Sequence, residues 1–185
     1  MCPAAVLDRE SRRRSIADKV KSYPDFPKPG ILFRDMFPLL RNPTDYRECI
    51  NLFVEEIREK YPSTEVVVGI ESRGFLFAPL MAQQLNVAFI PIRKAGKLPG
   101  QTISYSYALE YGNDTIEITR ESIEAGQHVV VVDDLLATGG TLSASIELMN
   151  KAGASVECCM VLLELCDLKG RKKIKSPVYS MIPLN

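Results

Sequence analysis

The stretch HVVVVDDLLATGGT, from His128 to Thr141, decides how this chain folds. Val129 to Val132 form an unbroken β-branched run, the composition of a strand covered on both faces. Two acids follow, Asp133 and Asp134, then Leu135 and Leu136, then Ala137, Thr138, Gly139, Gly140 and Thr141. Beyond Thr141 the apolar spacing becomes helical, with Leu142, Ile146 and Met149 in step. The stretch reads as buried strand, tight loop, helix.

Such a junction is suited to an anion. A helix start leaves amide N–H groups without intrahelical partners and carries partial positive charge. Gly139 and Gly140 let the main chain turn through positive φ and approach a phosphate closely, while Thr138 and Thr141 add hydroxyls. An ordinary strand–turn–helix connection can use the same glycines. The loop has neither the Lys of a P-loop nor the GxGxxG spacing of a dinucleotide site. The acids ahead of it favour a sugar phosphate: a carboxylate at a strand's carboxyl end accepts from ribose hydroxyls while the loop holds the phosphate. Neighbouring strand residues face opposite ways, so one of Asp133 and Asp134 is expected on the sugar.

Composition narrows the class. A chain of 185 residues with 46% hydrophobic and 25% charged side chains is expected to form one globular domain with a real core. The 23 basic and 23 acidic residues cancel, so nothing favours nucleic acid or a membrane surface as partner. Five cysteines without CxxC spacing and a single histidine argue against zinc and for free thiols, hence a cytoplasmic protein. No apolar core follows Arg12, Arg13 and Arg14, so no secretory leader is expected.

Away from the central stretch, Ser11–Ser22 suggests a short amphipathic helix. PDFPKPGILFRDMFP (24–38), with four prolines in fifteen residues, excludes a regular helix and reads as an extended segment. It is either a connecting loop with its Phe side chains in the core or, through Gly30–Arg34, a platform for a flat heterocycle. Asn42 and Pro43 open a packing helix. EVVVGI (65–70) is a second buried strand, followed by Glu71, Ser72, Arg73, Gly74 and a helix from Phe75 to about Leu85. Backbone amides with Arg73 make a second candidate anion site there, or else Ser72 merely caps a helix beside a solvated Arg. A strand at 88–92 leads into RKAGKLPG (93–100), where Arg93, Lys94 and Lys97 among two glycines suit a mobile loop facing anions or a solvated basic turn. Residues 103–109 and 115–119 alternate as an antiparallel ribbon, joined through Tyr111-Gly112-Asn113-Asp114. Strands at 128–133, 156–163 and 178–182 complete an α/β fold with a largely parallel central sheet flanked by helices.

VVVVDDLLATGGT resembles the phosphoribosyl diphosphate (PRPP) signature of the type I phosphoribosyltransferases. FPKPGILFRD (26–35), GIESRGFLFAP (69–79), PIRKAGKLPG (91–100) and ALEYG (108–112) resemble the branch that acts on adenine. That resemblance implies an N-terminal hood over about residues 1–40, a flexible loop and flap within about 93–120, and a homodimer with composite sites. It implies transfer of 5-phosphoribose from PRPP to adenine with Mg²⁺. The 5′-phosphate falls to Ala137, Thr138, Gly139, Gly140 and Thr141, and the ribose to Asp133 and Asp134. The diphosphate falls to Glu71, Ser72, Arg73, Arg93, Lys94 and Lys97. Adenine falls to Leu32, Phe33 and Arg34, with Phe33 stacking; Glu110 takes the proton and Tyr111 belongs to the flap. No metal ligand is assigned, since Mg²⁺ arrives with PRPP. The family also carries a cis peptide that would fall at Glu71–Ser72, and Glu71 stands where relatives often have Asp. Another base, or a PRPP-binding regulator without catalysis, are the alternatives; the FPKPGILFRD hood and the ALEYG motif argue against the first, and the Glu110 flap, with no DNA-binding segment visible, against the second.

Overall fold

The computed structural model describes residues 8–108 and 112–185, so Leu109, Glu110 and Tyr111 at the expected flap tip lie outside the described residues. The chain divides into two compact units, one ending at Phe53 and one running Val54–Asn185.

The first unit begins with α1 (Arg9–Ala17), shorter than the 11–22 expected. Asp8 caps it, its carboxylate accepting from the Ser11 amide at 2.9 Å. The helix stops because Lys21–Tyr23 form β1, and Tyr23, preceding Pro24, favours extended backbone. β1 pairs antiparallel with β2 (Phe33–Asp35), Tyr23 opposite Phe33 and Lys21 opposite Asp35. The proline-rich segment is thus a hairpin. Its loop is tied by the Phe26 amide on the Ile31 carbonyl (3.1 Å) and by the Gly30 amide on Asp25 Oδ1 (2.7 Å). The extended segment ends sooner than expected: Phe37–Arg41 form a short helix, α2, with Pro38 in its first turn, where a missing N–H costs nothing. α3 (Pro43–Lys60) follows, capped by Asn42 Oδ1 on the Thr44 amide at 2.9 Å.

The second unit is built on one sheet. Its strands are β3 (Val66–Ile70), β4 (Ala88–Lys94), β5 (Thr102–Ala108), β6 (Asn113–Thr119), β7 (His128–Leu136), β8 (Ser155–Leu165) and β9 (Val178–Leu184). The order is β5-β6-β4-β3-β7-β8-β9, parallel from β4 to β9, with β5 and β6 an antiparallel ribbon at the edge. Val66–Val68 and Val129–Val132 are entirely buried, as expected of strands covered on both faces. Each such side chain contributes about 1.5–3 kcal/mol, which makes β3 and β7 the sheet's anchor. α4 (Ala78–Leu85) packs over Gly69, where a Cβ would come 2.8 Å from the Ala78 Cβ. α5 (Gly140–Ala152) buries Leu142, Ile146 and Met149.

Two expectations needed correction. Strand β7 does not end at the acids: Asp133 pairs with Val161 and Leu136 with Glu164, so both carboxylates sit inside the ladder. The helix after β3 does not start at Phe75 either; Arg73–Leu76 form a 3₁₀ turn and α4 begins at Ala78. Gly74 lets this turn pack against β7, since a Cβ there would lie 2.5 Å from the Val132 carbonyl oxygen. The expected polar break in β8 is a β-bulge at Glu157, because Val129 pairs with Val156 and Val130 with Cys158. The lone histidine is structural: His128 Nδ1 contacts Glu157 Oε1 at the rim of the sheet. Among the described residues, no helix is long and apolar enough to cross a membrane.

Candidate active site

β3 connects to β4 on one side of itself, and β7 lies on the other. The direction of winding therefore reverses between β3 and β7, and the loops leaving their carboxyl ends flank a crevice of the kind that binds ligands in open α/β sheets. A cleft of about 270 Å³ opens there, lined by Glu71, Ser72, Arg73, Arg93, Lys94, Asp133, Asp134 and Thr141, with Tyr107 and Asp114 from the edge ribbon. A second cavity of about 200 Å³ shares Arg73, Asp133 and Asp134 and runs along Leu135–Leu142.

The loop after β7 is shaped by a contact that sequence reasoning missed. Gly139 has φ 80° and precedes the first residue of α5, and no side chain caps that helix. Its first-turn amides are left for another acceptor. A Cβ on Gly139 would lie 2.4 Å from the Gly170 carbonyl oxygen, and one on Gly170 would lie 2.1 Å from that of Ala137. Gly170 opens a short turn held by Arg171, which donates to Glu164 Oε1 at 3.0 Å and to the Val178 carbonyl at 2.6 Å. A Cβ on Gly140, by contrast, would meet nothing within 4 Å.

The loop after β3 carries the expected cis peptide at Glu71–Ser72. Each cation around the cleft holds a carboxylate. Arg73 Nε donates to Asp134 Oδ2 at 2.6 Å, Arg93 Nε to Glu71 Oε2 at 3.2 Å, and Lys94 Nζ to Asp114 Oδ2 at 3.0 Å. Lys97 does not line the cleft, but its Nζ pairs with Glu71 Oε1. Burial pushes the Glu71 carboxyl up, but hydrogen bonds from Lys97, the Lys94 amide and Arg93 outweigh it and hold the group down at about 2. Asp133 goes the other way: burial and the neighbouring charge of Asp134 raise its carboxyl well above the usual range. Burial lowers the Arg73 guanidinium, but the hydrogen bond and charge of Asp134, with the charge of Asp133, together outweigh it and raise the group.

The basic loop, expected to be mobile, is hydrogen-bonded to β6. Glu117, buried on β6, accepts from the amides of Gly96 (3.0 Å), Lys97 (3.2 Å) and Leu98 (3.2 Å) through one oxygen. Asp114 was expected in the turn of the ribbon and lies instead in β6, directly opposite Tyr107. In the first unit, Leu32 is exposed and Phe33 half-buried, its ring 5.1 Å from that of Phe26 in an edge-on arrangement. Phe26 and Phe37 are 52% and 53% exposed, so the segment is not a loop with these rings in a core. Arg34 Nη1 donates to Ser22 Oγ at 2.6 Å. The expected proton acceptor Glu110, and Tyr111, lie outside the described residues.

The arrangement sets an uncapped helix start after β7 and a cluster of cations after β3 and on β4 on either side of a carboxylate-bearing strand end. The phosphoribosyl transferase domain model matches residues 38–184. Adenine phosphoribosyltransferase of Cricetulus griseus is 48% identical over 175 residues, covering 94% of this chain and 97% of that one. The enzyme of Drosophila pseudoobscura pseudoobscura is 49% identical, covering 95% and 97%. The Saccharomyces cerevisiae adenine phosphoribosyltransferase, solved with adenine and an imino-altritol bisphosphate, superposes with a TM-score of 0.90 at 41% identity, covering 93% and 99%. That of Trypanosoma brucei, solved with AMP, pyrophosphate and ribose-5-phosphate, gives 0.84 at 28% identity, covering 93% of this chain and 79% of that one. This chain therefore belongs to the adenine phosphoribosyltransferases, within the phosphoribosyl transferase family.

Proposed function

We propose that this chain transfers the 5-phosphoribosyl group of PRPP to adenine, giving AMP and diphosphate. The observation that supports the reading is the placing of the loop after β3, with Arg73, and the loop after β7, with the uncapped start of α5, about the strand end that bears Asp133 and Asp134.

The base nitrogen attacks C1′ as diphosphate departs, so positive charge grows on the sugar and negative charge on the leaving group. Ala137–Thr141 take the 5′-phosphate through the open amides of α5, and Asp133 and Asp134 accept from the ribose hydroxyls. Together they fix C1′ for attack. Ser72, Arg73, Arg93, Lys94 and Lys97 stabilise the departing diphosphate, each cation exchanging a carboxylate of the protein for a phosphate oxygen. Glu71 holds Arg93 and Lys97 in readiness. By the motifs that carry the resemblance, Leu32, Phe33 and Arg34 receive adenine, and Glu110 takes its proton. Closure of the flap around Tyr111 keeps water from the activated sugar.

The residues fit a Mg²⁺ ion that arrives on PRPP. Mg²⁺ commonly binds through substrate phosphates, water and one or two carboxylates, and Asp133 and Asp134 line the cleft. The Asp133–Asp134 pair, which lines the cleft, would supply its protein contact. Bound with PRPP, the ion would supply neutralisation of charge building on the diphosphate.

We further propose a homodimer, on the strength of the Arg93–Gly100 motif, and a cytoplasmic location, consistent with four free thiols among the described residues. A monomer mass by light scattering, with full activity, would contradict the dimer. The reaction itself is tested by ³¹P NMR of the protein with PRPP, Mg²⁺ and adenine. PRPP resonances should give way to those of AMP and free diphosphate, and an unchanged spectrum would overturn the proposal.

A further inference from the structure

The cation that faces the cleft most openly is held by a residue that does not belong to either anion-binding loop. Lys94 Nζ lies 3.0 Å from Asp114 Oδ2, with the lysine side chain 57% exposed and the aspartate 21%. Asp114 stands on β6, in the edge ribbon, opposite Tyr107 on β5. Its other oxygen accepts from the Thr115 amide at 2.9 Å, which fixes the direction of the carboxylate. Tyr107 Oη lies 3.4 Å from Asp114 Oδ2 and 3.5 Å from Thr141 Oγ1, so the same phenol touches the ribbon's acid and the loop that begins α5.

A carboxylate in a cleft built for anions needs a reason. Asp134 and Glu71 have one, since they sit at the strand ends and each fixes an arginine. Asp114 fixes no arginine and ends no strand of the parallel sheet. What it does is supply Lys94 with a negative oxygen where a phosphate oxygen would otherwise go. An ion pair this open to solvent is worth little, so an incoming polyanion can break it. Once broken, it leaves Asp114 as an uncompensated like charge beside the ligand.

We infer that Asp114 is an internal counter-ion that competes with diphosphate for Lys94, weakening the grip on the leaving group so that it can depart. The inference rests on reading the cleft as the diphosphate site. A residue that merely positioned Lys94 for the ligand would have the opposite effect on affinity, so the sign of the change decides the matter.

The experiment is calorimetric titration of the full chain with Mg²⁺-diphosphate and, separately, with AMP, for wild type, Asp114→Asn and Asp114→Ser. Asn keeps an acceptor for the Thr115 amide and removes the charge; Ser removes the charge and leaves only a shorter hydroxyl acceptor, which guards against a peculiarity of either variant. Diphosphate should bind about 2- to 5-fold tighter to both variants, the span expected of a solvent-exposed ion pair. AMP affinity should not change, because its phosphate belongs to the loop of Ala137–Thr141. Unchanged or weaker diphosphate binding in both variants, with AMP binding intact, overturns the role of Asp114 alone. Wild type that binds neither diphosphate nor AMP overturns the reading of the cleft, and this inference with it.

Discussion

Gly139 and Gly170 meet back to back: a Cβ on the first would lie 2.4 Å from the carbonyl oxygen of the second. Gly139 therefore answers to the protein's own packing, in addition to any ligand, and its neighbour Gly140 is the better probe of phosphate approach. Gly139→Ala combines a left-handed φ of 80° with that clash and should cost on the order of 1–3 kcal/mol in stability. Gly140→Ala places its methyl in open space and should melt like wild type. It should nonetheless bind AMP about tenfold or more weakly, the loss of one charge-assisted hydrogen bond. Thermal melts and AMP titrations of both variants check this; wild-type AMP affinity in Gly140→Ala would remove the phosphate from this loop.

The pH dependence follows from Glu71. Its carboxyl drops from an ordinary 4.5 to about 2 because three donors bond the charged form. A depressed carboxylate lends stability that is complete above 4.5 and lost as pH falls toward 2. Glu71→Gln cannot lose that contribution twice. The stability gap between wild type and Glu71→Gln should be widest above pH 4.5 and close as the pH approaches 2, as measured by denaturant midpoints across that range. A gap that stays constant would mean that these bonds do not form in solution.

Much of this was legible in the sequence, and the exceptions have physical causes. The valine runs of β3 and β7 were readable because nothing but a doubly covered strand accommodates them. The extension of β7 through Asp133 and Asp134 was not, since acids ordinarily disfavour strands; here they sit inside the ladder, one of them tied to Arg73. Asp114 looked like a turn residue because Asn-Asp pairs usually are. Its pairing with Tyr107 and its ion pair with Lys94 are cross-strand facts that no local pattern announces. Glu117 and Gly170 were missed for the same reason: each serves a loop some twenty to thirty residues away through contacts that exist only after folding.

Glu110 lies outside the described residues, and its role as proton acceptor stands on the sequence motif around it. Glu110→Gln keeps size and hydrogen-bonding reach but not basicity. We expect kcat to fall by about 10²- to 10⁴-fold, the usual contribution of a general base. PRPP affinity and melting temperature should be unchanged. Steady-state kinetics with adenine, run beside a PRPP titration and a melting curve, separate this from misfolding; a kcat near wild type would leave positioning and charge stabilisation to carry the reaction.

The central claim is that the cleft between the β3 and β7 loops serves transfer of phosphoribose to adenine and not to another base. The most direct measurement is kcat/KM for adenine, hypoxanthine, guanine and orotate with saturating PRPP and Mg²⁺, followed by chromatographic separation of the nucleotides. The account predicts AMP as the product formed efficiently, with adenine preferred over each other base by orders of magnitude. Comparable turnover of a 6-oxopurine or of orotate, or PRPP binding without nucleotide formation from any base, would contradict it.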